Sequence, residues 1–164
     1  MDVPFYAEGL GFSCRRCSSC CTGEPGYVFL SKHDLQVLLK GLSLDFASFR
    51  LKYCKLVNMG DYFALSLREK SDFSCTFWEE SKCSIYEIRP IQCSTYPFWS
   101  SIVASPKAWE DESRSCPGIN SGETRSREEI ELALFTKRAA GLLALSCDQA
   151  KRPENIDEDQ ILGG

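Results

Sequence analysis

Apolar positions recur with the period of an α-helix at two places in the chain. Leu35, Leu38 and Leu39 follow Ser31, and Asp34 stands three residues after that serine. A helix with a capping box is therefore expected from Ser31, ending near Gly41 as its C′ residue. The second stretch runs from Arg127 to about Cys147, with Ile130, Leu132, Leu134, Phe135, Ala139, Leu142, Leu143 and Leu145 at its apolar positions. Ser126 and Glu129 form another capping box, so a long C-terminal helix is expected, packed over the outside of the domain. Ser43 is read as the cap of a shorter helix carrying Phe46, Phe49, Leu51 and Tyr53, with Cys54 at its end.

Strand signals are shorter. Tyr27 to Leu30 reads as a brief strand, and DYFALSLRE at 61–69 is the best strand pattern in the chain. Residues 72–103 are rich in aromatics and cysteine and predict short strands and turns, with a hairpin around Glu79–Lys82. Trp109 is placed on a further short strand, and Cys116-Pro117-Gly118 is a loop signal. No internal repeat is visible. The expected fold is α+β: a small, loop-rich single domain over 1–150, followed by a flexible polar tail over 151–164.

Composition narrows the function. In 164 residues there are ten cysteines and one histidine, His33, with a net charge of −4. The basic residues are scattered, which argues against a nucleic-acid partner. No apolar run approaches the roughly 20 residues of a membrane span. The first twelve residues lack a basic n-region and an apolar h-region, so a cytoplasmic protein is expected. Where thiols are kept reduced, many cysteines point to metal or redox chemistry before disulfides. With one histidine, expected in the first turn of an ordinary helix, any metal site must be built almost wholly from thiolate. No phosphate-binding loop or dinucleotide fingerprint is present.

The spacings carry the argument further. FSCRRCSSCCTGEP at 12–25 holds Cys14, Cys17, Cys20 and Cys21 in a C-x2-C-x2-CC run; Cys75, Cys83, Cys93 and Cys116 form a looser second set. Cys54 and Cys147 stand apart and are expected to be small buried hydrophobes. Four thiolates satisfy Zn²⁺ tetrahedrally at about 2.3 Å. Cys14, Cys17 and Cys20 also match the first three cysteines of the bacterial ferredoxin run, which points to an iron–sulfur cluster of [4Fe–4S] type. Side chains of adjacent residues diverge, so Cys20 and Cys21 are expected to serve different centres or different metals of one cluster. Either centre is anionic and needs cations nearby; Arg15, Arg16, Arg89 and Arg114 are candidates, and Arg89 in the RPIQC context is favoured. Phe77, Trp78, Tyr86, Tyr96, Phe98 and Trp99 are expected to shield the metal from water.

Taken together, the run at 14–21, CSIYEIRPIQCSTYPFW at 83–99 and CPGINSGE at 116–123 closely resemble the YkgJ-type cysteine-cluster family, a zinc- or iron-chelating domain. The resemblance covers roughly residues 10–125 and implies the same eight cysteines, without Cys54 and Cys147. A related cysteine motif occurs in the longer flagellin lysine N-methylases, whose cluster is understood to be iron–sulfur. The expectation is a metal-binding protein with a structural or metal-handling role; the alternative is an iron–sulfur enzyme acting on protein lysines. Metal ions are the expected partners, with a protein partner or substrate not identified.

Overall fold

The computed structural model describes residues 3–152, 156 and 158–163. The tail expected over 151–164 therefore falls partly, at 153–155, 157 and 164, outside the described residues.

Helix α1 spans Lys32–Leu42, and its capping box forms as expected: Ser31 Oγ accepts from the Asp34 N–H at 3.1 Å and Asp34 Oδ2 accepts from the Ser31 N–H at 2.9 Å. The helix runs through Gly41 and is capped by Ser43, which is left-handed at φ 53°. Gly41 serves packing instead: a Cβ there would lie 2.5 Å from Ile88 Cδ1. Asp45, not Ser43, caps α2 (Phe46–Tyr53), and Cys54 ends that helix as expected and at once opens a strand.

That strand, β2 (Cys54–Asn58), pairs antiparallel with β3 (Phe63–Leu67), with Cys54 opposite Leu67 and Asn58 opposite Phe63. The segment read as a strand at 27–30 reaches β3 through the Phe29–Ser66 bridge. The expected hairpin is present as β4 (Trp78–Glu79) and β5 (Lys82–Cys83), with Glu80 and Ser81 both at positive φ, the geometry of a tight hairpin turn. A short helix α3 (Ile91–Ser94) follows.

The Trp109 region is α4 (Pro106–Ser113), not a strand. Ser105 Oγ accepts from the Ala108 N–H at 3.1 Å and Pro106 occupies the first helical position, a start signal that outweighs the aromatic at 109. Two further strands, β1 (Leu10–Phe12) and β6 (Ile119–Arg125), pair antiparallel. They have no readable period, because in β6 only Ile119 is buried.

The long C-terminal helix is shorter than expected. Helix α5 covers Arg127–Ala140 and stops at Gly141, which sits at φ +63°. Beyond it the Leu143 N–H donates to Leu30 O at 2.9 Å, and β7 (Ala144–Leu145) joins β3. The apolar residues at 143 and 145 thus continue a sheet, not the helix. Cys147 opens α6 (Cys147–Lys151) and is exposed, contrary to expectation, whereas Cys54 is buried as expected. The last helix, α7 (Glu158–Leu162), buries Ile161 against the α1 core.

Two hydrophobic cores result. The first gathers Leu35, Leu38, Phe46, Phe49, Leu65 and Leu145 between α1, α2 and the β2–β3–β7 sheet; Cys75 and Cys83 pack against it. The second gathers Phe12, Phe98, Trp109, Cys116, Ile119 and Ile130 between α4, α5 and the β1–β6 pair. Asp34 ties α1 to the α3 turn: buried to 5% exposure, its Oδ1 accepts from the Ile91 N–H at 2.7 Å while Oδ2 accepts from Ser31. Asp34→Ala leaves those buried donors unpaired and removes one half of the capping box, the Ser31 side chain still accepting from the N–H of residue 34. It should cost about 3 kcal/mol, read as a lower urea midpoint with an unchanged slope. An unchanged midpoint would refute that role.

Candidate metal centre

Every one of the eight cysteines of the two spaced sets lines a single cavity of about 480 Å³, and neither Cys54 nor Cys147 does. Cys14 and Cys17 come from the irregular chain after β1, Cys20 and Cys21 from a 3₁₀ turn at Ser19–Cys21. Cys75 precedes the β4–β5 hairpin, Cys83 ends it, Cys93 lies in α3 and Cys116 follows α4. The cavity wall draws on both cores: Leu67, Phe77 and Ile85 from the first, Phe12, Phe98 and Cys116 from the second.

Local backbone chemistry explains how the pieces meet. In the first run, Arg16 and Ser18 are left-handed, at φ 51° and 65°, each costing about 1 kcal/mol, and so bend the loop without a glycine. The Cys75 N–H donates to Cys21 O at 2.8 Å, fastening the run to the hairpin. At the other end the Ser13 N–H donates to Gly118 O at 3.2 Å. A Cβ at 118 would lie 2.5 Å from Ser13 O, so the glycine of the CPG loop permits this close approach.

The adjacent cysteines do not diverge. On the 3₁₀ turn the Cys20 and Cys21 sulfurs stand 3.9 Å apart. The Cys21 thiol hydrogen-bonded to it lowers Cys20 to about 7, while that same shared proton, followed by burial, holds Cys21 well above the usual thiol range. Burial also raises Cys75, Cys83, Cys93 and Cys116, and pushes Cys54 up to about 12. Among the described residues no three histidine, cysteine or acidic side chains are already closed into a metal-holding group. The sulfurs are gathered round one space without converging on a point.

The rim is basic although the chain is acidic. Arg15, Arg16, Lys82, Arg89 and Arg125 line the cavity against a single acid, Glu129. Arg89 sits where the sequence suggested: its Nη1 donates to Tyr86 O at 2.6 Å and its guanidinium lies 3.9 Å from the centre of the Tyr86 ring, which also carries Arg16 at 4.1 Å. Positive charge from Arg89 favours the thiolate forms of Cys20 and Cys83. Tyr96 also lines the cavity, and its hydroxyl donates to Glu112 Oε1 at 2.6 Å. Of the aromatics expected to shield the site, Phe77, Tyr86, Tyr96 and Phe98 line it; Trp78 and Trp99 do not. Arg114 is not in the lining and pairs with Asp111 at 3.4 Å.

One residue escaped the sequence reading. Gln92, beside Cys93, accepts from the Phe29 N–H at 3.1 Å, donates to Tyr27 O at 2.7 Å, and offers its carbonyl to Trp99 Nε1 at 3.1 Å. It holds α3 between the two cores. The tight RPIQC run was its only signal.

Soft anionic donors, cations at the rim and an apolar wall suit zinc or iron and suit a hard cation poorly. A site of this composition defines a cysteine-rich metal-binding domain. The CxxCxxCC family, described as zinc- or iron-chelating, matches residues 13–117, well over half of the chain, and the chain belongs to that family. No solved structure matches it. Among the described residues no helix is long and apolar enough to cross a membrane.

Cys20→Ser and Cys21→Ser are each expected to lower the metal content per chain and the soluble yield, whereas Cys54→Ala and Cys147→Ala should leave metal content unchanged. Elemental analysis of the four purified variants checks this. Full occupancy in the Cys20/Cys21 double variant would refute the ligand set.

Proposed function

We propose that this chain is a thiolate chelator in which Cys14, Cys17, Cys20, Cys21, Cys75, Cys83, Cys93 and Cys116 hold zinc or iron, flanked by Arg89, Tyr86 and Tyr96. The shared cavity carries the reading: eight cysteines from four separate segments border it, and the other two are elsewhere. The cavity bridges two small cores, so metal binding is coupled to their packing and residues 1–150 act as one unit. The working form belongs in a reducing compartment, the cytosol, where free thiols persist.

Between the metals, zinc has a specific geometric argument. Two thiolates on one tetrahedral ion with bonds of about 2.3 Å stand about 3.8 Å apart. The Cys20–Cys21 separation of 3.9 Å suits such a pair. In a four-iron cluster each iron takes its own thiolate, which spreads the sulfurs further. The second reading, an iron–sulfur cluster of [4Fe–4S] type, is favoured by a cavity of about 480 Å³, far more room than one ion uses. Bound there, zinc would hold the fold or be handled as cargo, and a cluster would add electron transfer; the chain's own part is to supply thiolates and screen their charge. Protein-lysine methylation rests on the sequence resemblance alone.

Protein purified without oxygen should carry zinc and remain colourless. A brown protein with matching iron and sulfide would establish the second reading, and a metal-free, well-folded protein would overturn both. Stripping the metal with a strong chelator should lower the thermal midpoint by about 10 °C, the loss expected for a ligand at about a thousand times its dissociation constant. An unshifted midpoint would mean that the fold does not depend on metal.

A further inference from the structure

Helix α5 has two apolar faces. One is used: Ile130 is completely buried in the second core, with Ala133 and Leu134 packed beside it. On the opposite face Leu132 is 64% exposed and Phe135 60% exposed. Ala139 continues their spacing on the exposed side, and Leu142, just past the helix end, is also exposed. Positions 132, 135 and 139 follow the i, i+3, i+7 rule and form one stripe. The packing of the described residues does not cover it, and it lies beyond the residues matched by the family.

The charges bordering this stripe indicate what covers it. Glu131 and Arg138 lie along the same border, seven residues or two turns apart, about 10 Å. Glu131 is held by Arg127 at 2.7 Å, whereas Arg138 has no ion-pair partner among the described residues. An acid and a base two turns apart on one border are self-complementary. If a second α5 lies antiparallel, with Leu132 against the other copy's Phe135, each Glu131 faces the other's Arg138 across the seam. A parallel arrangement gives neither charge an opposite partner.

We propose that this face of α5 is a homodimer interface, in which Leu132 and Phe135 pair antiparallel with the same residues of a second copy and two symmetry-related Glu131–Arg138 pairs close one edge of the seam. The contact is isologous, so one surface serves both subunits and the assembly closes at two. The contact rests on two large exposed side chains of each copy, Leu132 and Phe135, so the dimer is concentration-dependent and not obligate.

The test is sedimentation velocity of the metal-loaded full chain over a concentration series. The wild type should pass from monomer to dimer, and Phe135→Glu should stay monomeric throughout with an unchanged circular dichroism spectrum. Glu131→Arg and Arg138→Glu each set like charges together at two symmetric places and should weaken the dimer roughly tenfold; the double reversal should restore it. If Phe135→Glu misfolds, the charge-reversal set decides. A wild type that remains monomeric, a dimer that survives Phe135→Glu, or a double reversal no stronger than the singles overturns the proposal.

Discussion

Two hydrophobic cores meet across a cavity walled by thiols, and much of the structure is arranged to hold that seam. Neither core is large, and no sheet runs through both. Four segments far apart in sequence bring sulfur to the same space: the 14–21 run, the hairpin of Cys75 and Cys83, the α3 turn of Cys93 and the loop of Cys116. Burial raises most of these thiols because a thiolate in a low-dielectric wall lacks its water. A soft cation held there would reverse that preference, and the cation-rich rim would moderate what negative charge remained.

The bonds that fix the seam join helical residues to irregular chain and to one another. Asp34 joins α1 to α3, Gln92 joins α3 to the 27–30 segment and to Trp99, and the Cys21 carbonyl receives the Cys75 N–H. Irregular chain brings Cys14, Cys17, Cys75 and Cys116 to the cavity, while short regular pieces bring Cys20 and Cys21, Cys83 and Cys93.

The 3₁₀ turn at Cys20 and Cys21 shows how local backbone changes the chemistry available. On a strand the two sulfurs would face opposite sides. The left-handed Ser18 and the turn after it bring them to 3.9 Å, close enough to share one proton or one ion. A sequence rule about neighbours presumes regular structure, and this segment has little.

What could be read in the sequence was what depends on neighbours in the chain. The capping boxes at Ser31 and Ser126 form because donor and acceptor are three residues apart, and the hairpin at Glu79–Lys82 because its turn is local. Cys14, Cys17 and Cys20 could be grouped from spacing, since a tight C-x2-C turn presents two sulfurs together, while Cys54 and Cys147 were set apart by the helical stretches they were read into. Partners distant in sequence had to be decided by the tertiary structure. Leu143 and Leu145 fit a helical period, but Leu143 bonds to Leu30 and Leu145 joins β3, because these extended segments satisfy their backbone and Gly141 releases them from α5. β1 and β6 have almost no apolar alternation, so only their mutual pairing makes them strands. The gathering of eight sulfurs round one cavity likewise belongs to the fold, because it requires both cores to pack before the four segments can meet.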